Sequence, residues 1–337
     1  MLQQLVTIRF YFMAQIHAKW YAYWLASLLL GATIGFGYLA LVPVKVSQPR
    51  QIPFIPIPVE TPVPEIQPSH QPITLIFTGD VMLGRTVNKN IVTYNDPTWP
   101  FKNVASVLSA ADITYVNLEG PLVPNCPIVE SGFKFCGNLD NAKELEYAGV
   151  DVVSLANNHA TNYGPEGLTS TVESLELYGI HPVGLGSPVR VERQDQTFTF
   201  HSFNDIGPYP GIQNLDPNTF AGIIARAKVE GEVLIVTFHW GNEYQATPSD
   251  RQIQFAHQAI DAGSDLVIGA HPHWVQTKEV YRGKTIYYSL GNFVFDQEWS
   301  AETKRGLVVK ATYVGDQLQF TEELPILIEN YGQPRWQ

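Results

Sequence analysis

The sequence predicts an α/β domain in which two sheets pack on each other and helices flank them. Two observations carry this. Between residues 73 and 273, apolar runs of strand length alternate with segments of helical periodicity. Beyond residue 273 the helical segments stop, and apolar runs follow one another across short turns such as Arg282-Gly283-Lys284, the pattern of antiparallel hairpins. Alternation followed by hairpins is how an α/β sandwich reads in sequence. A third observation locates a site: several of the apolar runs end in residues able to hold a metal ion.

Ahead of that domain, residues 1–19 form a short tail. From Trp20 to Val44 the chain runs 25 residues without a formal charge, between Lys19 and Lys45, long enough to cross a bilayer as a helix. Trp20, Tyr21, Tyr23 and Trp24 cluster at its start, as at a membrane interface. A cleaved signal peptide fits less well, because the apolar core is long and no clean small-x-small site follows. The expectation is an uncleaved transmembrane helix at 20–44. Residues 45–72 read as a linker, since the nine prolines from Pro43 to Pro72 favour extended polyproline II and prevent a packed core. They form a semi-rigid spacer ahead of a globular domain at 73–337.

The formal charge is −11. The first 72 residues hold four basic residues and two acids, so the rest of the chain is more acidic than the total. Such a domain is a poor partner for nucleic acid, which calls for a basic face. Cys126 and Cys136 lack a C-x-x-C spacing. They admit a loop disulfide or two reduced thiols, and compartment decides between them. An anchor and a spacer fit an extracytoplasmic, membrane-anchored domain, in which the pair is expected to be oxidised.

Within the domain, Ile73 to Asp80 is a strand that meets a tight loop at Gly79-Asp80. Phe101 to Ala111 has helical periodicity. Ile113 to Gly120 is a second strand, on which Asn117 and Glu119 stand i, i+2 and share a face. Asn141–Ala148 reads as a helix. Val150–Ala156 is a third strand running into Asn157-Asn158-His159, and a helix follows from about Gly164 to Tyr178. The stretch from Val183 to Phe203 is β-rich; His181 and His201 find no matching partners and read as structural. Asn218–Val229 is helical. Val233 to Phe238 is a fourth buried strand, ending in His239-Trp-Gly-Asn-Glu243. Ser249–Ala262 is an amphipathic helix with His257 on its periphery. Strand Leu266–Gly269 delivers His271 and His273, whose i, i+2 spacing on an extended backbone points both imidazoles one way. Val275–Tyr281, Thr285–Leu290 and Leu307–Tyr313 are the hairpin strands, and Gly291-Asn292-Phe293 closes near the same edge.

Asp80, Glu119, Asn158, His239, His271 and His273 therefore all lie at or just past strand C-terminal ends, the edge where open α/β sheets bind ligands. Each alone has a plainer alternative. Asp80 also reads as a helix or turn cap, Asn157-Asn158-His159 equally as a hydrogen-bonded turn and helix entry, and the histidine pair as surface loop residues. Their convergence is harder to assign to packing. A mixed set of carboxylate, amide and imidazole donors suits Mn, Zn or Fe rather than Ca.

Six stretches stand in a specific order: Gly79-Asp80-Val-Met-Leu, Asn117-Leu-Glu119-Gly-Pro-Leu, Leu155-Ala-Asn157-Asn158-His159, His239-Trp-Gly-x-Glu243, Gly269-Ala-His271-Pro-His273 and Ser289-Leu-Gly-Asn292-Phe. This order resembles the calcineurin-like metallophosphatases and, within them, the CapA family of capsule and poly-gamma-glutamate biosynthesis proteins. The resemblance implies a four-layer αββα sandwich with one or two divalent transition metals, Mn, Zn or Fe, at its crest. It implies that Glu119 bridges, that Asp80 and His273 hold one ion, and that Asn158, His239 and His271 hold the other. His159 matches the histidine that serves as general acid or stabilises the transition state. Arg85 and Glu243 are expected to contact substrate or orient ligands; for Arg85 a surface salt bridge is the equal alternative. The sequence departs from the superfamily pattern at Met82, where a histidine usually follows the first aspartate by two residues, and at Glu119, which is one methylene longer than the usual aspartate. The implied function is a metal-dependent hydrolase cutting a phosphoester or envelope-polymer bond. Its implied partners are an anionic or phosphorylated polymer or a small substrate, and a polymer-synthesis complex. The alternative is a non-catalytic polymer-binding or export-complex component with a structural or vestigial metal site.

Overall fold

The computed structural model describes residues 71–337. The expected tail, the span at 20–44 and nearly all of the Pro-rich linker lie outside the described residues. Among the described residues, no helix is long and apolar enough to cross a membrane. This corrects the expectation of a membrane-anchored, extracytoplasmic domain, which required a spanning helix that none of the described helices provides.

The strands in chain order are β1 (Ile73–Val81), β2 (Ile113–Leu118), β3 (Leu122–Val123), β4 (Gly137–Asn138), β5 (Val152–Ser154), β6 (His181–Val183), β7 (Val189–Arg193), β8 (Gln196–Asn204), β9 (Val233–His239), β10 (Leu266–Ala270), β11 (Lys278–Tyr281), β12 (Lys284–Tyr287), β13 (Asn292–Val294), β14 (Arg305–Val314), β15 (Gln317–Glu329) and β16 (Gln333–Trp336). Between them lie α1 (Arg85–Tyr94), α2 (Ala105–Leu108), α3 (Asn141–Tyr147), α4 (Gly164–Leu177), α5 (Phe220–Ala227) and α6 (Asp250–Asp261). The result is a mixed α/β fold with two main sheets. One runs β16-β15-β14-β1-β2-β5-β6, with β13 also pairing β1; the other runs β11-β12-β10-β9-β8-β7. The centres, β1-β2-β5-β6 and β8-β9-β10-β12, are parallel. The hairpin strands β11 and β14 to β16 attach antiparallel at the margins.

The two-residue period of each strand explains the layering. Leu75 and Phe77 of β1 pack with Ile113, Phe200, Ile235 and Ile268, so that their side chains fill the space between the sheets. Ile76, on the other face of β1, packs with Val87 of α1, Leu145 of α3 and Leu175 of α4. In the second sheet Leu234 and Val236 point away from the first and meet Phe220 of α5 and Phe255 of α6. Each central strand is thus buried on both faces, which is why β1 and β9 read as nearly unbroken apolar runs rather than alternating ones. Helix α6 starts where the sequence places it, on Ser249, whose side chain and that of Gln252 form a capping box.

Three elements differ from expectation. The periodic stretch Phe101–Ala111 is a 3-10 turn at Trp99–Phe101 followed by the four-residue α2. Bonds of the i→i+3 kind, such as Val104 N to Phe101 O at 2.9 Å, keep Phe101, Val104 and Leu108 turned inward without a continuous helix. Helix α1 hides in a polar stretch because two of its four buried residues are Arg85 and Asn88. Strand β15 is mostly exposed or half-buried along its length, so no apolar alternation marks it.

Candidate metal centre

Parallel pairing lines up the strand ends. Asp80 stands opposite Asn117, which stands opposite Ser154; in the other sheet Ala270 stands opposite His239. The two sheets meet here, with Asn117 Nδ2 3.2 Å from His239 Nδ1. Gly79 is required just before Asp80, because a Cβ there would stand 1.9 Å from the Gly291 carbonyl oxygen. The Asp80 amide donates to that same oxygen at 3.0 Å, so the close approach also fixes the aspartate. His271 and His273 lie beyond the end of β10 at φ 96° and 58°. Their convergence therefore comes from two left-handed residues rather than from an extended backbone, and backbone strain of this kind concentrates at functional sites.

The structure brings the six predicted ligands together, Asn158 half-buried and the other five buried. Asn158 Oδ1 is 2.9 Å from His239 Nε2, which is 3.1 Å from His271 Nδ1. Donors bound to one first-row cation at about 2.0–2.2 Å stand roughly 3 Å apart, so these three atoms have the spacing of one coordination shell. Asp80 is held by Asn117 Nδ2, which donates to Oδ1 at 2.7 Å, and by the His271 amide, which donates to Oδ2 at 3.2 Å. His273 Nδ1 donates to Asn292 Oδ1 at 2.8 Å, leaving Nε2 free on the Glu119 side, 3.9 Å from Glu119 Oε1. A ligand histidine is oriented in this way by a partner on its far nitrogen. Ligand atoms of Asp80, Glu119 and His239 lie within 4.8 Å of one another, as do those of Glu243, His271 and His273.

Glu119 tests whether a cation fits. It is buried, yet neither carboxylate oxygen has a hydrogen-bond partner. Desolvation of a carboxylate without hydrogen bonds is costly enough that it takes up a proton or a cation. Burial pushes Glu119 up, the charge of Asp80 adds to this, and His273 opposes it. Against burial, the Glu119 and Asp80 carboxylates push His273 up. Burial, then the neighbouring imidazoles, hold His239 well below its ordinary value and His271 down to about 3. The donors thus include neutral imidazoles and an orphaned carboxylate, a set that fits a divalent transition metal.

His159 faces Glu119, with Nε2 3.7 Å from Oε1. Its Nδ1 donates to Asn162 Oδ1 at 3.0 Å, which also accepts the Phe135 amide at 2.7 Å. The Phe135 ring stacks on the imidazole at 4.0 Å. Burial lowers the His159 pKa, so the ring is neutral at pH 7 with Nε2 unprotonated. Phe135 is fixed by the adjacent Cys126–Cys136 disulfide, Cα–Cα 5.9 Å, which agrees with the expected oxidised pair. Arg85 is neither at the surface nor free: it pairs with Asp296, donates from Nη1 to the Gly132 carbonyl at 3.1 Å and lies over Phe135 at 4.7 Å. Glu243 is exposed at the mouth of the site. His181 and His201 lie away from these residues, and His257 bonds Glu279 at 2.9 Å on the periphery.

Sequence reasoning missed the residues that hold the site's side chains: Asn162 and Phe135 behind His159, and Asn292 as the partner of His273. Asn292 had one legible signal, its place in Ser-Leu-Gly-Asn-Phe at the same sheet edge. Phe135 had none, because its role depends on a loop folded back by a disulfide.

Comparisons with known proteins give the family of this chain. The family model for the bacterial capsule synthesis protein PGA_cap matches residues 74–297. The chain is 32% identical over 250 residues to the PGA biosynthesis protein CapA of Bacillus subtilis, a match covering 69% of this chain and 66% of that protein. It is 28% identical over 292 residues to the capsule biosynthesis protein CapA of Bacillus anthracis, covering 79% and 70%. It is 30% identical to a probable polyglutamine synthesis accessory protein of Mycobacterium tuberculosis, with 66% of each chain covered. Among solved structures, a hypothetical protein from Thermus thermophilus superposes with TM-score 0.51 and 14% identity, covering 75% of this chain and 98% of that one. A novel phosphatase from Mycoplasma pneumoniae superposes with TM-score 0.50 and 15% identity, covering 78% and 95%.

Proposed function

This chain belongs to the family of bacterial capsule synthesis proteins, and from that premise we propose that it is a metal-dependent hydrolase built on a four-layer αββα sandwich, cutting a phosphoester or envelope-polymer bond during the synthesis of a capsule or poly-gamma-glutamate-type polymer. The observation that carries the proposal is Glu119: a buried carboxylate without a hydrogen-bond partner, clustered with Asp80 and His239 and 3.9 Å from His273, while Asn158 and His271 join the cluster through His239. One or two divalent cations of the Mn, Zn or Fe kind, held by these six residues, would supply Lewis acidity at the polarised bond. The protein supplies the rest. Asn117 and the His271 amide keep Asp80 aimed; Asn292 fixes the tautomer of His273. Asn162 keeps the His159 proton on Nδ1, so Nε2 is the atom that takes a proton from, or returns it to, the reacting group. Phe135 excludes water from one face of that imidazole.

The test is metal content and phosphomonoester and phosphodiester hydrolysis by the full-length chain beside His159→Ala. The expected result is unchanged metal content with turnover reduced about 100-fold or more. Equal turnover in the variant would remove the role assigned to His159. A second reading, a non-catalytic component of a polymer-synthesis complex that binds an anionic polymer, is supported by the accessory role in the name of the mycobacterial relative. It predicts metal and polymer binding without turnover.

A further inference from the structure

Sequence position leaves Glu243 a choice between contacting substrate and orienting ligands. The turn that carries it points to a different role, at the metal itself. His239-Trp240-Gly241-Asn242-Glu243-Tyr244 leaves β9 and doubles back over the site. Gly241 has φ 85°, and a Cβ there would stand 2.4 Å from Gln252 Oε1, so only glycine makes the bend. Tyr244 is left-handed as well, at φ 59°. Both ends of the turn are bonded to the segment bearing the two histidines: the Trp240 amide donates to Ala270 O at 3.1 Å and the Tyr244 amide to Pro272 O at 2.8 Å. Four left-handed residues, Gly241, Tyr244, His271 and His273, therefore shape one clasp whose two arms hold each other. The Glu243 carboxylate ends within 4.8 Å of donor atoms of both His271 and His273. On the opposite side, β1 offers Asp80 but no donor from Met82, whose buried sulfur accepts the Gly84 amide at 3.0 Å.

We infer that Glu243 is a metal ligand that, with His271 and His273, holds a divalent transition cation at the solvent-facing mouth of the site, supplying from the β9 turn a donor that β1 lacks. A carboxylate with two imidazoles is a donor set suited to Zn, Fe or Mn. Its exposure follows from the same role, since an outer ligand must be reachable when the ion enters. The inference rests on the proposed function only for the presence of a cation, and requires no turnover.

The experiment measures zinc affinity and stoichiometry of the full-length chain by competition with a chromogenic chelator, and the visible absorption of the cobalt-loaded protein. Glu243→Gln is expected to weaken at least one bound zinc ion tenfold or more and to change the cobalt spectrum. Glu243→Asp, with a shorter reach, is expected to fall between. Asn242→Ala, on the same exposed turn, is expected to match the wild type. Because Glu243 is exposed, its variants keep the core, and circular dichroism checks this. Zinc affinity, stoichiometry and cobalt spectrum all equal in Glu243→Gln and wild type would overturn the inference while leaving the proposed function standing. A wild-type chain that takes up neither zinc nor cobalt would overturn both.

Discussion

Metal uptake by this site should expel protons, and the sign and size of the effect follow from its burial. In the metal-free site burial pushes Glu119 up, and the two carboxylates push His273 up against burial. Near neutral pH this pair retains at least one proton that a cation must displace. His239 and His271 release none, because burial already keeps both imidazoles neutral, His239 well below its ordinary value and His271 down to about 3. Protons then compete with metal, so affinity rises with pH. For one displaced proton the slope is about tenfold per pH unit, or about 1.4 kcal/mol, giving about 100-fold between pH 6 and pH 8. Zinc competition titrations across that range in non-coordinating buffers measure the slope. Calorimetry at pH 7 in two buffers of different ionisation enthalpy counts the protons directly. Glu119→Gln should both weaken binding and flatten the slope. An affinity equal at pH 6 and pH 8, or no proton release at pH 7, would refute the reasoning, because it would mean that neither Glu119 nor His273 holds a proton in the metal-free site.

Two further expectations concern stability. Glu144 of α3 is buried, its Oε2 has no partner, and burial, then Asp96 and Asp140, push it up to about 9. The folded state holds a proton that the unfolded chain gives up near its ordinary pKa, so stability falls as pH rises from about 5 towards about 9. Glu144→Gln should flatten that decline and stabilise the protein by roughly 2 kcal/mol at pH 8, part of the gain being offset by burying an amide. Urea titrations of both forms at pH 5.5 and pH 8.5 check it, and equal pH slopes would count against it. The Cys126–Cys136 bridge closes a loop with a sequence separation of 10, for which chain entropy gives about 3 kcal/mol. Cys126→Ser with Cys136→Ser should lower Tm by roughly 5–10 °C; a change under about 2 °C would show the loop held by its other contacts.

The two-sheet fold and the convergence of the six candidate ligands are legible in the sequence because each depends on local pattern. Buried parallel strands such as β9 must be apolar on both faces, and a polar residue directly after one, such as His239, must meet something. Other features are not legible because their cause is distant in sequence. Arg85 reads equally as a surface charge, yet its partner Asp296 lies 211 residues on. The spacing of the histidine pair places it on one face of an extended strand; the positive φ of both residues makes the convergence a property of a strained loop instead. Glu243 can be placed at a strand end but not given a direction, because the bend at Gly241 and the bond from Tyr244 to Pro272 determine where it points.

The groups behind the candidate ligands and behind His159 share a chemical choice. Asn117 supports Asp80 and touches His239, Asn292 supports His273, and Asn162 supports His159. Carboxylates commonly do this work behind metal-bound histidines. Here each would add a buried negative charge to a centre that already gathers Asp80 and Glu119, with Glu243 at its mouth. Like charges in a low-dielectric site raise one another's proton affinity, so a carboxylate shell would keep Glu119 protonated further into the working pH range and oppose metal entry. A neutral amide fixes the same tautomers and angles without that penalty. Three ligand carboxylates also leave a residual positive charge if two divalent cations bind, which suits a centre meant to attract an anionic bond, whereas a single cation would leave the same donors net negative.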